Sequence, residues 1–353
     1  MRKGARNMES FSEDTFELQE LPQSLRSSRK LVKDFLAKFD LTYDKLDAYV
    51  GLFTGDKMVA GGGYQGSVIK CIAVDPIYQQ CGLANKVISY LCSELWAKGL
   101  ANLFVFTKPN NTSQFTGLGF HLIGSADAAI LLESSKNGVA DFAAALLPYR
   151  QSGVQGAIVM NANPFTLGHR YLVERAVSNC DHLHIFVVAE EKSIFPFAVR
   201  KKLVEEGTKD LANVTVHSGG QYIISSATFP AYFIKKLSDV AKTYAQLDIN
   251  VFARHIAPAL SITKRFVGSE PTDALTCAYN EIMQSELPKF AIESVIFDRK
   301  IKEKQPISAS TVREFLAKGD IAGASQFVPA TTAVYFSTPE GRMVIEKLKG
   351  IDG

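Results

Sequence analysis

Residues 156–169 decide the fold of the second half of the chain, and they read Gly-Ala-Ile-Val-Met-Asn-Ala-Asn-Pro-Phe-Thr-Leu-Gly-His. Ala157–Met160 is a short apolar run that predicts a buried strand, and Leu167–Ser178 has the spacing of a helix. The alternation continues, with predicted strands at His184–Val188, Val214–His217, Arg265–Gly268 and Ser294–Phe297 and predicted helices at Phe197–Asp210, Asn250–Leu260 and Thr272–Glu286. Such alternation indicates parallel strands joined by right-handed crossovers, and therefore a doubly wound, Rossmann-like α/β sheet.

The loop of residues 161–166 is the first candidate site, because ligands bind beyond the carboxyl ends of the strands in such sheets. A helix start offers unpaired backbone N–H groups and partial positive charge, which suit a phosphate. Thr166 caps this start, Gly168 allows a ligand close to the backbone, and His169 lies on the same face as a donor. The alternative is a capped helix that carries an incidental exposed histidine.

A second segment near the chain's other end, Pro-Ile-Ser-Ala-Ser-Thr-Val-Arg at residues 306–313, strengthens the first. Three hydroxyl residues precede a predicted helix that carries Arg313 in its first turn. A cation there opposes the helix dipole and needs a compensating partner, such as an anion. The alternative is a plain serine cap.

This pair of motifs resembles the nucleotidyltransferase superfamily with (H/T)xGH and ISSTxxR signatures, over roughly the last 200 residues. The resemblance implies that Thr166 and His169 hold the α- and β-phosphates of ATP, and that Ser310 and Arg313 hold the departing pyrophosphate. Thr166, His169 and Arg313 are the predicted catalytic residues. The predicted ATP-binding residues are Asn161, Asn163, Phe165, Gly168, Arg200, Gly268, Ser269, Glu270, Ile307, Ser308, Ser310 and Thr311. For Arg200, a solvated helix arginine is the alternative.

The first half carries a different anion motif, Gln79, Gly82 and Ala84 at the spacing (Q/R)xxGx(G/A) between a predicted strand and a predicted helix. Successive amides in such a turn form an anion cradle. With Asn111 after the next strand, the pattern resembles the GNAT acetyltransferase fold over roughly residues 10–140. The resemblance implies a site for a CoA-like arm, with its pantetheine between two splayed strands. Phe115 occupies the region where GNAT enzymes often carry a tyrosine that acts as an acid toward the leaving thiolate, so we expect the domain to bind a CoA-like arm without standard amine acetylation. The alternative is a degenerate GNAT fold kept for structure.

Composition limits the remaining possibilities. The length of 353 residues predicts two domains, which we place at 11–148 and 149–353 after a flexible N-terminus of residues 1–10. A net charge of +3 is too slight to indicate nucleic-acid binding, and no apolar run is long enough for a membrane span. Five scattered cysteines indicate reduced thiols in a cytoplasmic protein. His182 and His184 lack a third ligand, so no metal site is predicted.

Together the two halves resemble the citrate lyase ligases over nearly the whole chain. That resemblance implies ATP as cosubstrate, Mg²⁺ as an additional cation, and acetate as the acid. It also implies that acetyl-AMP forms and acetylates the thiol of the phosphoribosyl-dephospho-CoA group on the citrate lyase acyl carrier subunit. Three readings compete with it: a nucleotidyltransferase that adenylylates a small phosphorylated metabolite, an N-acetyltransferase with a regulatory nucleotide domain, and a non-enzymatic sensor of ATP and CoA.

Overall fold

The computed structural model describes residues 16–189, 191–224, 229–234, 237–269, 274–302 and 305–350. Within these residues the chain forms two compact units. The first comprises the described parts of Met1–Ile123, Ala128–Gly138 and Pro230–Val240, and the second comprises those of Gly124–Asp127, Val139–Phe229 and Ala241–Gly353. This division does not test the domain boundary that we place at residue 148, which stays a prediction. The predicted N-terminal tail of residues 1–10 lies outside the described residues.

The first unit is built on a seven-stranded mixed sheet. Its elements are β1 (Glu17–Glu20), α1 (Arg26–Ala37), β2 (Ala48–Thr54), β3 (Lys57–Gln65), β4 (Val68–Val74), α2 (Leu83–Ala97), β5 (Phe104–Thr107), α3 (Thr112–Gly117), β6 (His121–Ser125) and β7 (Ile130–Glu133), with strand order β1-β2-β3-β4-β5-β7-β6. The apolar positions of α2, Leu83, Val87, Leu91 and Leu95, are all buried in the core, as their helical spacing predicts.

Strands β4 and β5 separate soon after they begin. They pair in parallel at Val68 with Phe104 and at Ile69 with Val105, and the remaining described residues of β4 have no partner in β5. On its other side β4 carries an irregularity against β3, and Cys71 within it has a positive φ of 56°. Both features agree with the GNAT-like fold expected for this half, in which two neighbouring strands splay apart.

The second unit contains a five-stranded sheet in which every pair is parallel. Its elements are α4 (Gly138–Leu146), β8 (Gln155–Met160), α5 (Leu167–Val177), β9 (His182–Val187), α6 (Phe197–Thr208), β10 (Val214–Ser218), α7 (Leu237–Val251), α8 (Ala257–Leu260), β11 (Ile262–Gly268), α9 (Ala274–Glu286), β12 (Glu293–Phe297), a short β13–β14 hairpin (Ile301–Lys302 and Gln305–Pro306), α10 (Ala309–Ala317), α11 (Ile321–Ser325), α12 (Ala330–Phe336) and α13 (Pro339–Lys349). The strand order β10-β9-β8-β11-β12 confirms the predicted doubly wound sheet.

The order of the strands reverses between β8 and β11, and this switch point positions the site. Consecutive residues of β11 lie on opposite faces of the sheet and therefore contact different helices. Phe266 packs into the apolar cluster that includes Val173 of α5 and Val204 of α6. Its neighbour Arg265 contacts Asp248 of α7 and Tyr279 of α9. Because the C-terminal ends of β8 and β11 diverge at the switch point, a crevice opens there.

The predicted helix Asn250–Leu260 was wrong at its start. The described helix begins at Leu237, passes through a π-helical turn at Phe252–Ile256 and ends at Leu260. Its first part escaped the hydrophobic pattern because Thr243 and Asp248 are buried polar residues on its inward face. None of the helices in the described ranges is long and apolar enough to cross a membrane.

Candidate active site

The start of α5 holds the first predicted motif in a reciprocal cap. The Thr166 hydroxyl accepts a hydrogen bond from the backbone N–H of His169, and the Thr166 backbone N–H donates to His169 Nδ1 at 3.1 Å. Since Nδ1 accepts a hydrogen bond from a backbone amide, the ring proton of the neutral imidazole lies on Nε2. The cap therefore fixes His169 as a donor at the cavity.

Burial keeps this imidazole neutral. Burial and, to a smaller extent, the nearby Arg299 guanidinium lower the pKa of His169 to about 4. The ring also stacks on Phe165, with 5.8 Å between centroids and 16° between planes. With its proton on Nε2, the neutral imidazole can donate a hydrogen bond from that atom to an oxygen anion.

The buried side chain of Arg200 supports the loop between β8 and α5 from the protein interior. This guanidinium is fully buried and donates to the backbone oxygens of Asn161, Val188 and Phe195 and to the side chain of Asn161. Arg200 therefore positions the loop and does not line the cavity. The structure fits neither sequence-based interpretation, a phosphate donor or a solvated arginine.

The second motif lies against the first, as the sequence predicts. Ser308 caps α10 by accepting from the backbone N–H of Thr311 at 3.0 Å. Arg313 spans both motifs, because Nη1 donates to the Asn163 carbonyl at 2.6 Å and Nη2 donates to Ser310 Oγ at 3.0 Å. The two segments, 150 residues apart in sequence, thus form one structure.

Packing against the second motif requires a glycine at position 168, which the sequence alone did not reveal. A Cβ at this position would lie 2.7 Å from the carbonyl oxygen of Ile307, a backbone atom of the second motif. We expected Gly168 to admit a ligand. The structure shows that it admits the second motif, which packs directly on the first turn of α5.

A cavity of about 560 Å³ lies at the switch point and joins both motifs. Of the predicted site residues, Asn161, Asn163, Thr166, Gly168, His169, Gly268, Ile307, Ser308, Ser310 and Arg313 line it. Phe165, Ser269 and Thr311 do not: Phe165 is a fully buried core residue, and Ser269 and Thr311 pair with neighbouring groups. Glu270 lies outside the described residues.

Several charged side chains of this cavity were missed. Asp298, Arg299 and Lys300 follow β12 and lie at the edge where sites form, so the rule that selected residue 161 also applied to them. Arg265, Asp248, Tyr279 and Asn280 form the wall on the α7 and α9 side. Their only sequence signal was a polar residue inside an apolar pattern. With Arg265, Arg299, Lys300 and Arg313, the described lining is rich in cations.

In the first unit the predicted cradle has the expected backbone form. Residues Pro76–Cys81 form a 3₁₀ turn capped by Asp75, and Gly82 follows with φ 68° at the start of α2. Gln79 and Gly82 are exposed, and Ala84 is half-buried. Asn111 is also exposed, but its amide donates to Thr107 Oγ1 at 2.8 Å.

The space between the splayed strands holds a side chain from far along the sequence. Tyr232 belongs to the first unit by its contacts and is 6% exposed. Its hydroxyl donates to the Phe106 carbonyl of β5 at 3.3 Å and accepts from the backbone of Cys71 in β4. This phenol therefore bridges the two strands in the gap where the sequence predicts the pantetheine path.

The second unit thus presents two capped helix starts that meet over one cation-lined cavity at the switch point of a parallel sheet. This combination defines an α/β protein with a nucleotidyltransferase-like domain. Among solved structures, Escherichia coli ElaA aligns with 34% of this chain and 99% of its own, at 12% identity and a TM-score of 0.30.

Comparison with known protein families identifies the chain more closely. Residues 155–336 match the family described as the citrate lyase ligase C-terminal domain. The citrate pro-3S-lyase ligase of Klebsiella pneumoniae is 45% identical over 78% of this chain and 82% of its own length. That of Haemophilus influenzae is 40% identical over 86% and 94%. The chain belongs to the citrate lyase ligase family and is an enzyme of the ligase class.

Proposed function

We propose that this enzyme uses ATP to activate acetate as acetyl-AMP. It then acetylates the thiol of the phosphoribosyl-dephospho-CoA group on the citrate lyase acyl carrier subunit, releasing AMP and pyrophosphate. The observation that carries the proposal is the bridge from Arg313 to both Asn163 and Ser310 over a shared cavity. It brings together the donors that a triphosphate needs, in a chain whose relatives are named citrate lyase ligases.

In the first step an acetate oxygen forms a bond to the α-phosphorus, and the bond from that phosphorus to pyrophosphate breaks. Acetate is ionised at neutral pH, since carboxyl pKa values lie near 4, so no general base is required. The protein's task is to align the groups and to stabilise the charge on pyrophosphate. His169 Nε2–H, Arg313, Arg299 and Lys300 are suited to it.

The proposal includes a Mg²⁺ ion that arrives with ATP. Among the described residues no group of three or more metal-binding side chains is present. Asp248 is engaged with the Ile224 amide, Tyr279 and Arg265, which leaves Asp298 as the lining carboxylate for a cation. Mg²⁺ commonly uses one or two carboxylates plus substrate phosphates. Asp298 and the phosphates would hold it, and it would neutralise phosphate charge.

In the second step the thiol sulfur attacks the acetyl carbon, the bond to AMP breaks, and the thiol proton is released. A thiol pKa of about 8.5 makes a strong base unnecessary. The cradle at residues 76–82 would dock the CoA-like arm and raise the thiol concentration near acetyl-AMP. Since Tyr232 fills the gap between β4 and β5, the pantetheine part reaches that gap only when Tyr232 leaves it.

The proposal includes a cytoplasmic location, supported by five cysteines that are all free thiols. The acyl carrier with its CoA-like group is the proposed macromolecular partner.

ATP–pyrophosphate exchange with and without acetate tests the first step. We expect exchange in the wild-type enzyme only with acetate, and loss of that exchange in His169→Ala. The exposed His121 provides the matched control, and His121→Ala should retain wild-type exchange. Exchange that is independent of acetate would refute the proposal and favour adenylylation of another metabolite.

The second step is tested at the cradle. Gly82→Asp places a negative charge where the pyrophosphate of the arm would bind, in open space. We expect it to abolish acetylation of the acyl carrier and to spare acetate-dependent exchange. Gly99→Asp is matched, because Gly99 also has positive φ and open space and follows the other end of α2. Equal acetylation by both variants would rule out docking at the cradle.

A further inference from the structure

A buried arginine forms part of the cavity wall and has no role in the mechanism above. Arg265 lies in β11 beside Ala157 of β8 and is 3% exposed. The strand ends at Gly268, so Arg265 lies deeper in the sheet than the loop that carries the phosphate-binding motif. Buried arginines normally have their donors matched by acceptors, because an unmatched N–H in the interior is costly.

The partners of Arg265 account for only one of its two terminal nitrogens. Nη2 donates to Asp248 Oδ2 at 3.3 Å and to the Tyr279 hydroxyl at 2.6 Å. The Tyr279 hydroxyl in turn donates to Asp248, whose other oxygen accepts from the backbone of Ile224 at 3.0 Å. Nη1 is buried and has no hydrogen-bond partner among the residues that the structure describes. Asp248 and Tyr279 therefore hold the guanidinium in place and leave one nitrogen for something else.

The side chains around Arg265 limit the kind of ligand that can bind to Nη1. The guanidinium carbon lies 4.5 Å from the centroid of the Phe252 ring and 5.7 Å from that of Tyr279. Val267, two residues along the strand, shares its face and lines the same cavity. Aromatic and aliphatic walls around one unmatched cationic donor suit a short acid with a small apolar tail.

We propose that Nη1 of Arg265 binds the carboxylate of the small acid substrate, an inference that rests on the proposed function. A carboxylate is the planar acceptor that a guanidinium matches best. Phosphates would occupy the starts of α5 and α10 at the edge of the sheet, and the acid would bind deeper, on the α7 and α9 side. The acid site is thus separate from the phosphate contacts. A phosphorylated metabolite would not need it.

Arg265→Lys tests this assignment. Lysine keeps a positive charge to pair with Asp248 but lacks the second, separately placed nitrogen of the guanidinium fork, which is the proposed donor to the acid. From the usual strength of a hydrogen bond to a charged group, we expect the KM for acetate in ATP–pyrophosphate exchange to rise about 10- to 100-fold. The KM for ATP should stay within about twofold, as no phosphate contact changes. Arg254→Lys is the matched control, because Arg254 is exposed and outside the cavity lining.

The outcomes separate this inference from the proposed function. If wild-type exchange ignores acetate, the proposed function fails, and the acid site fails with it. If wild-type exchange requires acetate and Arg265→Lys leaves the acetate KM unchanged, only the acid site is refuted. An equal rise in both KM values would also refute it, since that result indicates a structural role.

A second variant decides the matter if Arg265→Lys does not fold. Tyr279→Phe keeps the ring and removes only the hydroxyl that accepts from Nη2. We expect a smaller rise of about 3- to 10-fold in the acetate KM, because the guanidinium loses one of its two anchors. An acetate KM equal to that of the wild type in a folded Tyr279→Phe enzyme would overturn the proposal.

Discussion

Replacing Arg313 by lysine tests whether the two motifs act through one bridging side chain. Lysine retains the charge but lacks the planar fork whose two nitrogens reach the Asn163 carbonyl and Ser310 Oγ in Arg313. A lost donor to developing charge costs about 2.7–4 kcal/mol in the transition state, which is about 10²- to 10³-fold in rate. The lost bond to the Asn163 carbonyl should lower the free energy of unfolding by about 1.5–3 kcal/mol.

The measurement is acetate-dependent ATP–pyrophosphate exchange, together with urea unfolding for Arg313→Lys, Ser310→Ala and the double variant. If Ser310 acts mainly by orienting Arg313, the double variant should lose about as much rate as Arg313→Lys alone. Arg342→Lys is the matched control, because Arg342 is an exposed arginine of α13.

Two results would contradict this reasoning. One is a rate for Arg313→Lys within about threefold of the wild type, which would mean that the bridge carries little transition-state charge. The other is strictly additive losses for Arg313→Lys and Ser310→Ala, which would mean that the two side chains act independently.

Further predictions concern packing, acid stability and the cleft of the first unit. Gly168→Ala should disrupt exchange, since its Cβ would lie 2.7 Å from the Ile307 carbonyl; unchanged activity would contradict that packing. Burial lowers the pKa of His184 to about 3 and of His217 to about 4. The unfolded chain therefore takes up their protons first, so stability is complete above about pH 7 and falls below pH 6.5, by about 2 kcal/mol per histidine at pH 5. Urea midpoints at pH 7.5 and 5 measure this loss, and an equal loss in His184→Gln would refute its origin. Tyr232→Ala should strengthen binding of dephospho-CoA in calorimetry, and unchanged affinity would show that Tyr232 does not block the gap.

The sequence predicted the parallel sheet and the two motifs of the proposed phosphate site because those features are local. A strand followed by Thr166 and His169 at a helix start carries its cap within four residues, and the cap formed as expected. The same holds for the turn before Gly82 in the first unit. Anion cradles use backbone amides near one point of the chain, so their chemistry is written in adjacent residues.

Contacts between distant segments were not predictable in the same way. Arg200 matched a plausible phosphate donor, but its partners lie in the loop after β8 and near β9, and they bury it. Phe165 read as a ligand contact, but it fills the core and supports the His169 ring. Only the folded chain shows which cation faces the cavity and which lies beneath it.

Asp248 and Arg265 form the proposed site for the acid, and both interrupt an apolar sequence pattern. Asp248 breaks the periodicity of α7, and Arg265 interrupts an otherwise buried stretch of β11. A buried ion pair contributes little net stability over apolar packing, so its retention in a core needs a further reason. An unmatched nitrogen on Arg265 at the cavity wall supplies that reason. Local motifs therefore support the proposed nucleotide site, and the interruptions in the core support the proposed site for the acid.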